Sequence, residues 1–471
     1  MQSDVRGTVS EGPELVRALG LFDSVMMMVG IVIGSGIFLT TGIMAQSIPS
    51  VPLLLLAWVV GGLLTLSGAL TFAELGAAMP EAGGQYVYLR EAYGNLAAFL
   101  FGWILFLVAM GGSIAALAVG FAEYLGYFAP AISTDRIVLS LDIAENGLDY
   151  RYSVSTVQLA AVAVIVLLTV CNYAGVVFGK LIQNAFTVVK IAALVAFVTV
   201  GLMLGSRQQL DNSLNPTGAS PGALLIGFGV AVVAVSWAFD GWNNISYVAG
   251  EIRDPRRNLP LSLLIGTAAI TILYVLVNVV YVLALPLAEL AGVMRVAERA
   301  SQALFGTGAA SLVSAAVMIS TFGALNGSIF VGPRVYYAMA RDGVFFHRAG
   351  AVHPRFGTPA AAITTQAVWA CVLTLTGTYE QLFTYVMFIT LAFWAAAVAA
   401  VFVLRRRRPD LPRPYRTWGY PTVPVIFVVV TVAIIVNTLF ARPVESLAGL
   451  VITAVGVPVY FCWRRTAARA V

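Results

Sequence analysis

Apolar residues in this chain come in nearly unbroken runs of about 20, separated by short polar stretches, and not at the spaced intervals of a one-sided helix or strand. A run of that length is what a helix needs to cross the hydrocarbon core of a bilayer. Twelve segments can be drawn, at about 21–48, 52–79, 95–128, 153–172, 181–204, 221–250, 260–286, 308–333, 359–376, 381–404, 423–440 and 445–463. The pattern predicts an all-α membrane protein with 12 transmembrane helices.

Composition agrees. Of 471 residues 60% are hydrophobic and 10% charged, and the mean hydropathy is +0.90. An even number of crossings puts both termini on one side. Of the 27 lysines and arginines, 20 fall on that side or at its membrane edge and six on the other (Arg136, Arg151, Arg207, Arg295, Arg299 and Arg442), with Lys190 inside a segment. The excess of positive charge predicts that both termini are cytoplasmic, in the plasma (inner) membrane. The net charge of +5 is therefore a topology signal and no argument for nucleic acid. Arg253, Arg256 and Arg257, then Arg341, Arg348 and Arg355, then Arg405 to Arg408 are read as orientation signals. Residues 1–20 lack the apolar core and cleavage site of a signal peptide and are read as a cytoplasmic segment. Residues 405–422 form a basic cytoplasmic loop and 464–471 a cytoplasmic tail. The stretch 129–152, with Asp135, Asp142, Glu145 and Asp149, is expected to be an external, solvated loop. Cys171, Cys371 and Cys462 lie in or beside apolar segments, so a disulfide framework is not expected.

Two of the segments are interrupted. In the first, Gly34-Ser35-Gly36 sits in mid-run, where flexible residues are costly unless the helix opens. An opening frees carbonyls at Val32 and Ile33, which attract a cation, and amides around Gly36 and Ile37, which attract an anion. An α-amino acid carries both charges. The other reading is that the glycines only allow close helix packing. The sixth segment is broken at Ser236-Trp237-Ala238-Phe239-Asp240-Gly241-Trp242-Asn243-Asn244. Segments one and six are five apart, as in two repeats of opposite topology, residues 21–204 and 221–404, with helices 11 and 12 (423–463) outside them.

Lys190 is one of two lysines and lies nine residues past Leu181, ~14 Å into an apolar run at the helical rise. An ammonium there needs oxygen acceptors, and the carbonyls freed by the first break could supply them. If the helix instead starts later, Lys190 lies near the interface.

Longer stretches carry a family resemblance: IGSGIFLTTG from Ile33, FAELGAAMPEAGGQYVYLREAYG from Phe72, NYAGVVFGKLIQNAFTVVK from Asn172, SWAFDGWNNISYVAGEIRDPRRNLP from Ser236, FGALNGSIFVGPRVYYAMARDG from Phe322 and RPYRTWGYP from Arg413. The chain resembles the amino acid, polyamine and organocation transporter superfamily, and within it the L-type amino acid transporter branch. The resemblance implies two inverted five-helix repeats, Na+-independent transport, often by exchange, and no chemistry on the substrate. It places the substrate carboxylate on amides at Ser35, Gly36 and Ile37, and the ammonium on carbonyls of Val32, Ile33, Trp237 and Ala238. Phe239 and Asp240 complete the expected pocket. Trp237 matches an aromatic gate, unless it faces lipid, and Lys190 matches a lysine standing where sodium-coupled relatives hold an ion. Asn243 falls where relatives use an asparagine near the broken helix; its other role is to cap the second half-helix.

Two positions depart from the pattern. The external loop lacks the cysteine by which animal members join an ancillary glycoprotein, so no disulfide-linked subunit is expected. Asp240 sits beside the gate, where it would either pair with a cationic side chain or cap Trp242-Asn243. Glu74 and Glu123 are explained by interface solvation or packing as well as by a proton route. Tyr274, Asn278, Asn326 and Ser328 line the path or bond between helices. No cofactor or metal is expected: His347 and His353, the only histidines, lie in a charged loop, and no HExxH motif is present. GVVFGKL from Gly175 lacks the spacing and the Ser or Thr of a phosphate loop, and nothing resembles a channel filter. The sequence thus predicts a carrier of L-α-amino acids, most of all neutral ones. The rival is a proton-coupled carrier of cationic amino acids or polyamines.

Overall fold

The computed structural model describes residues 15–145, 148–206, 221–293, 295–306, 308–377, 379–441 and 443–469. The first apolar segment is two helices, α1 (Leu21–Val32) and α2 (Gly36–Ser47), bent by 41° at residues 33–35. Then follow α3 (Val51–Ala78), the short α4 (Gln85–Tyr93), and α5 (Asn95–Ile104), which runs through a π-turn at Leu105–Ala109 into α6 (Met110–Phe128). Helices α7 (Thr156–Tyr173) and α8 (Val176–Leu204) close the first half. The second half contains α9 (Pro221–Ala238), α10 (Pro255–Ala284), the short α11 (Leu287–Leu290) and α12 (Val296–Phe305), then α13 (Ala309–Arg341), α14 (Ala360–Thr376) and α15 (Tyr379–Arg407). Helices α16 (Thr422–Ala441) and α17 (Pro443–Arg469) end the chain as described.

Among the described residues nine helices are long and apolar enough to cross a membrane, and the bent pair α1–α2 makes a tenth. Apolar helices also cover the other two expected segments, Leu224–Ala238 and Ala360–Thr376, each shorter than a full crossing. Helix α1 is enclosed by α8, α10 and α13, while α3 lies along α10 and α6 along α13. Because lipid offers no hydrogen bonds, the interior of this bundle carries its own polar pairs.

Two expectations need correction. The stretch after α6 is not a loop but an antiparallel hairpin, β1 (Ile137–Glu145) on β2 (Leu148–Ser155). Leu139, Leu141 and Ile143 alternate with Ser140 and Asp142, the period of a strand, and this signal was available in the sequence. The sixth segment does not resume as an α-helix either. It continues as a 3₁₀ stretch, Asn244–Glu251, because its groups bond outward: the Tyr247 carbonyl accepts from the Gly83 amide at 2.8 Å, ahead of α4.

The end of that 3₁₀ stretch anchors a closure on the face that carries the termini. Glu251 and Arg334 of α13 form a two-pronged ion pair, 2.7 and 3.0 Å, with both side chains at 1% exposure or less. The Arg334 guanidinium also lies over the Phe330 ring and donates to the Phe330 carbonyl. The backbone of Glu251 accepts from Leu19 at 3.0 Å, and the Leu19 carbonyl accepts from Arg253, so the segment before α1 is stitched onto the same spot. Nearby, Asp342 accepts from Arg90 and Tyr86, each at 2.8 Å. Glu74, at 1% exposure, is not at a solvated interface: it accepts from Arg405 at 2.9 and 2.6 Å and from the Thr417 amide at 2.6 Å.

Removing one partner of a buried ion pair leaves the other charged in a medium that cannot solvate it. Arg334→Gln is expected to destabilise the protein by about 3–5 kcal/mol. Thermal unfolding in detergent checks this; an unchanged midpoint would mean that water reaches Glu251.

Candidate functional site

Opening a helix at residues 33–35 leaves carbonyls without their usual donors. Here the protein supplies them. Lys190 is the fifteenth residue of the 29-residue α8, at its centre, and is 2% exposed. Its ammonium donates to the carbonyls of Gly30 (2.8 Å), Ile33 (2.9 Å) and Ser320 (2.8 Å). The Ser320 hydroxyl donates to the Ile33 carbonyl at 2.8 Å, and Tyr274 donates to the Val32 carbonyl at 2.9 Å, which also accepts the Gly34 amide at 2.7 Å. The carbonyls of Val32 and Ile33 thus hold two donors each, so a substrate ammonium would have to displace one of them. Tyr281 reaches the Ile37 carbonyl at 3.3 Å.

The second break lies directly against the first. A side chain at Gly36 would come within 2.8 Å of the Ala238 Cα, so glycine is what lets the two backbones touch. Gly241, with φ of +93°, turns the chain after α9, and a Cβ there would meet Ile31 at 2.6 Å. Asp240 does not take the Trp242 amide, as one expectation had it: that amide goes to the Phe239 carbonyl at 3.3 Å, and Asp240 lines the cavity. Asn243 makes no helix cap and instead donates to Gln85 at 2.6 Å and to the Tyr247 hydroxyl at 3.2 Å.

Around the paired breaks is a cavity of about 520 Å³, within the size range of small-molecule sites. Of the expected residues, Val32, Ser35, Gly36, Trp237, Ala238, Asp240 and Asn243 line it. Ile33, Ile37 and Phe239 do not; they are buried behind its wall, with Phe239 against Tyr274 and Trp58. The cavity reaches Glu123, Tyr124 and Arg295, at the face opposite the termini, and its other walls include Phe101, Phe393 and Trp394. Ser328 also lines it, whereas Asn326 bonds to Asn172, Gln183 and Gly179, and Asn278 to Thr41. Sequence reading missed Gln85, Ser320 and Tyr247. They are ordinary polar residues in polar or apolar runs, and only the fold brings them to the breaks. Among the described residues no group of His, Cys, Asp or Glu side chains could hold a metal ion.

Two breaks in contact beside a cavity match a known type of protein, and comparison decides which: residues 19–461 match the amino acid permease family. The chain belongs to that family. It is 32% identical over 465 residues to the human large neutral amino acids transporter small subunit 2, covering 97% of this chain and 82% of that one. It is 31% identical to the human b(0,+)-type amino acid transporter 1 over 450 residues, covering 94% and 87%. The serine/threonine exchanger SteT of Bacillus subtilis (strain 168) is 29% identical over 455 residues, covering 96% and 98%. These relatives are transporters and not enzymes, and this permease is a multi-pass membrane protein that moves its substrate unchanged.

Lys190→Met would keep the bulk of the side chain and strip a donor from three buried carbonyls, leaving that of Gly30 without its named donor, at about 1–3 kcal/mol for the unsatisfied group. The melting temperature in detergent is expected to fall clearly more than for Lys180→Met, whose partly exposed ammonium pairs with Asp23 at 3.1 Å. Equal effects would sink the view that Lys190 holds the break.

Proposed function

We propose that this permease is a Na+-independent exchanger of L-α-amino acids, neutral ones foremost, working by alternating access in the plasma membrane with both termini cytoplasmic. The observation that carries the reading is the contact between the breaks at Gly36 and Ala238 beside a cavity that Trp237 and Asp240 line. Amides at the start of α2 suit the substrate carboxylate. The Val32 and Ile33 carbonyls each hold two donors, and the ammonium is assigned to carbonyls near Trp237 and Ala238, where it shares the Trp237 carbonyl with the Asp240 amide. Trp237 serves as the gate. Lys190 supplies a built-in positive charge among carbonyls of the type that elsewhere hold a metal cation, which supports independence from sodium.

We further propose twelve crossings, with residues 21–204 and 221–404 as inverted repeats. The pairing of α3 with α10 and of α6 with α13 supports this, since each joins a segment to its counterpart five later. The cavity reaches the face opposite the termini, and the Glu251–Arg334 pair closes the terminal face, so this is read as an outward-facing state. One observation favours a second reading, a proton-coupled carrier of cationic amino acids or polyamines: Asp240 lines the cavity and, among the described residues, no ion pair holds its carboxylate.

Uptake of radiolabelled amino acids into proteoliposomes tests both. Uptake of neutral amino acids that requires internal amino acid and ignores sodium is the expected outcome, with Gly36→Ala lowering it at least about tenfold by pushing the breaks apart. Preference for arginine or lysine that follows a pH gradient and collapses in Asp240→Asn would establish the second reading. No saturable transport or binding by folded protein would overturn both.

A further inference from the structure

Between Arg405 and Thr417 the chain carries six arginines and a single acid, Asp410. The structure separates these arginines by what they do. Arg405 is spent on Glu74 and lies over the Tyr420 ring, and Arg413 approaches Glu74 at 3.4 Å while bonding four backbone carbonyls. Arg407 donates to the Ala92 carbonyl and Arg408 to Glu91. The side chains of Arg406 and Arg416 are exposed and, among the described residues, make no hydrogen bond or ion pair.

These two arginines flank one anchored spot in the chain. Arg406 adjoins Arg405, and Arg416 adjoins Thr417, and the guanidinium of Arg405 and the amide of Thr417 share the Glu74 carboxylate at 2.6 Å each. Trp418 follows Thr417, is 76% exposed, and stands four residues before α16, one of the helices long and apolar enough to cross a membrane. Six arginines there meet three carboxylates, Glu74, Glu91 and Asp410. An indole left in solvent beside uncompensated guanidinium groups is suited to a surface that is apolar below and anionic above. We propose that Arg406, Arg416 and Trp418 form a binding site for the headgroup of an anionic phospholipid, with the indole seated among the glycerol and upper acyl groups. Glu74 acts as the internal post that holds the site in shape.

The test is fluorescence quenching in proteoliposomes that carry brominated phosphatidylglycerol or brominated phosphatidylcholine at equal mole fraction. The protein has eight tryptophans, so the signal is the difference between wild type and Trp418→Phe. Two surface arginines predict that brominated phosphatidylglycerol quenches Trp418 at least about threefold more at ~0.1 M salt, and that ~0.5 M salt removes the preference. The preference is also expected to vanish in the Arg406→Gln/Arg416→Gln protein with its melting temperature unchanged. Equal quenching by both lipids in wild type would overturn the proposal, as would a preference that survives high salt or the double substitution. Loss of the preference on adding ~10 mM inorganic phosphate, at matched ionic strength, would replace the lipid with a free anion.

Discussion

A helix that opens inside a membrane must find donors for its freed carbonyls within the protein, because hydrocarbon offers none. The break between α1 and α2 meets this constraint through three elements at once: Lys190 from α8, Ser320 from α13 and Tyr274 from α10. These are the helices that enclose α1. The break therefore fixes its surroundings as much as they fix it. With no such donors the segment would close into a continuous helix, and the amides at the head of α2 would no longer stand beside the cavity.

The second constraint is one of space. Gly36 against Ala238 and Gly241 against Ile31 allow two interrupted segments to approach to backbone contact. That contact puts the amide end of one break and Trp237 of the other on a single cavity. Asn243 extends the arrangement by reaching Gln85, whose amide in turn bonds the Phe393 carbonyl, so a polar thread runs from the second break to α4 and α15.

The face that bears the termini is held differently, by charge. Glu251 with Arg334, Asp342 with Arg90 and Tyr86, and Glu74 with Arg405 join segments far apart in sequence through short, mostly buried pairs. Pairs of this kind add little net stability over apolar packing, but an unmatched partner is costly, so they define one arrangement sharply. A carrier that must open this face has to separate such pairs in register, whereas dispersed apolar contacts would yield gradually.

The apolar runs, the two interruptions and the lone central lysine were legible in the sequence because each is a local departure from what lipid allows: length, a glycine pair and a charge in mid-segment. The hairpin after α6 was legible too, through the alternation at Leu139, Leu141 and Ile143, but the expectation of a solvated loop passed over it. The 3₁₀ path of Asn244–Glu251 could not be read, since it follows from a carbonyl pledged to Gly83 on another element. Nor could the sequence tell that the Val32 and Ile33 carbonyls are filled, that Ile33, Ile37 and Phe239 stand behind the cavity wall, or that Glu74 is buried under the basic loop. By itself the sequence determined which stretches form long apolar helices, where two of them break and which charge lies inside, because these depend on neighbours along the chain. Tertiary structure alone decided which donor meets which carbonyl and which arginines remain unpaired, because hydrogen bonds are exhausted by the first partners that reach them, and reach is set by packing.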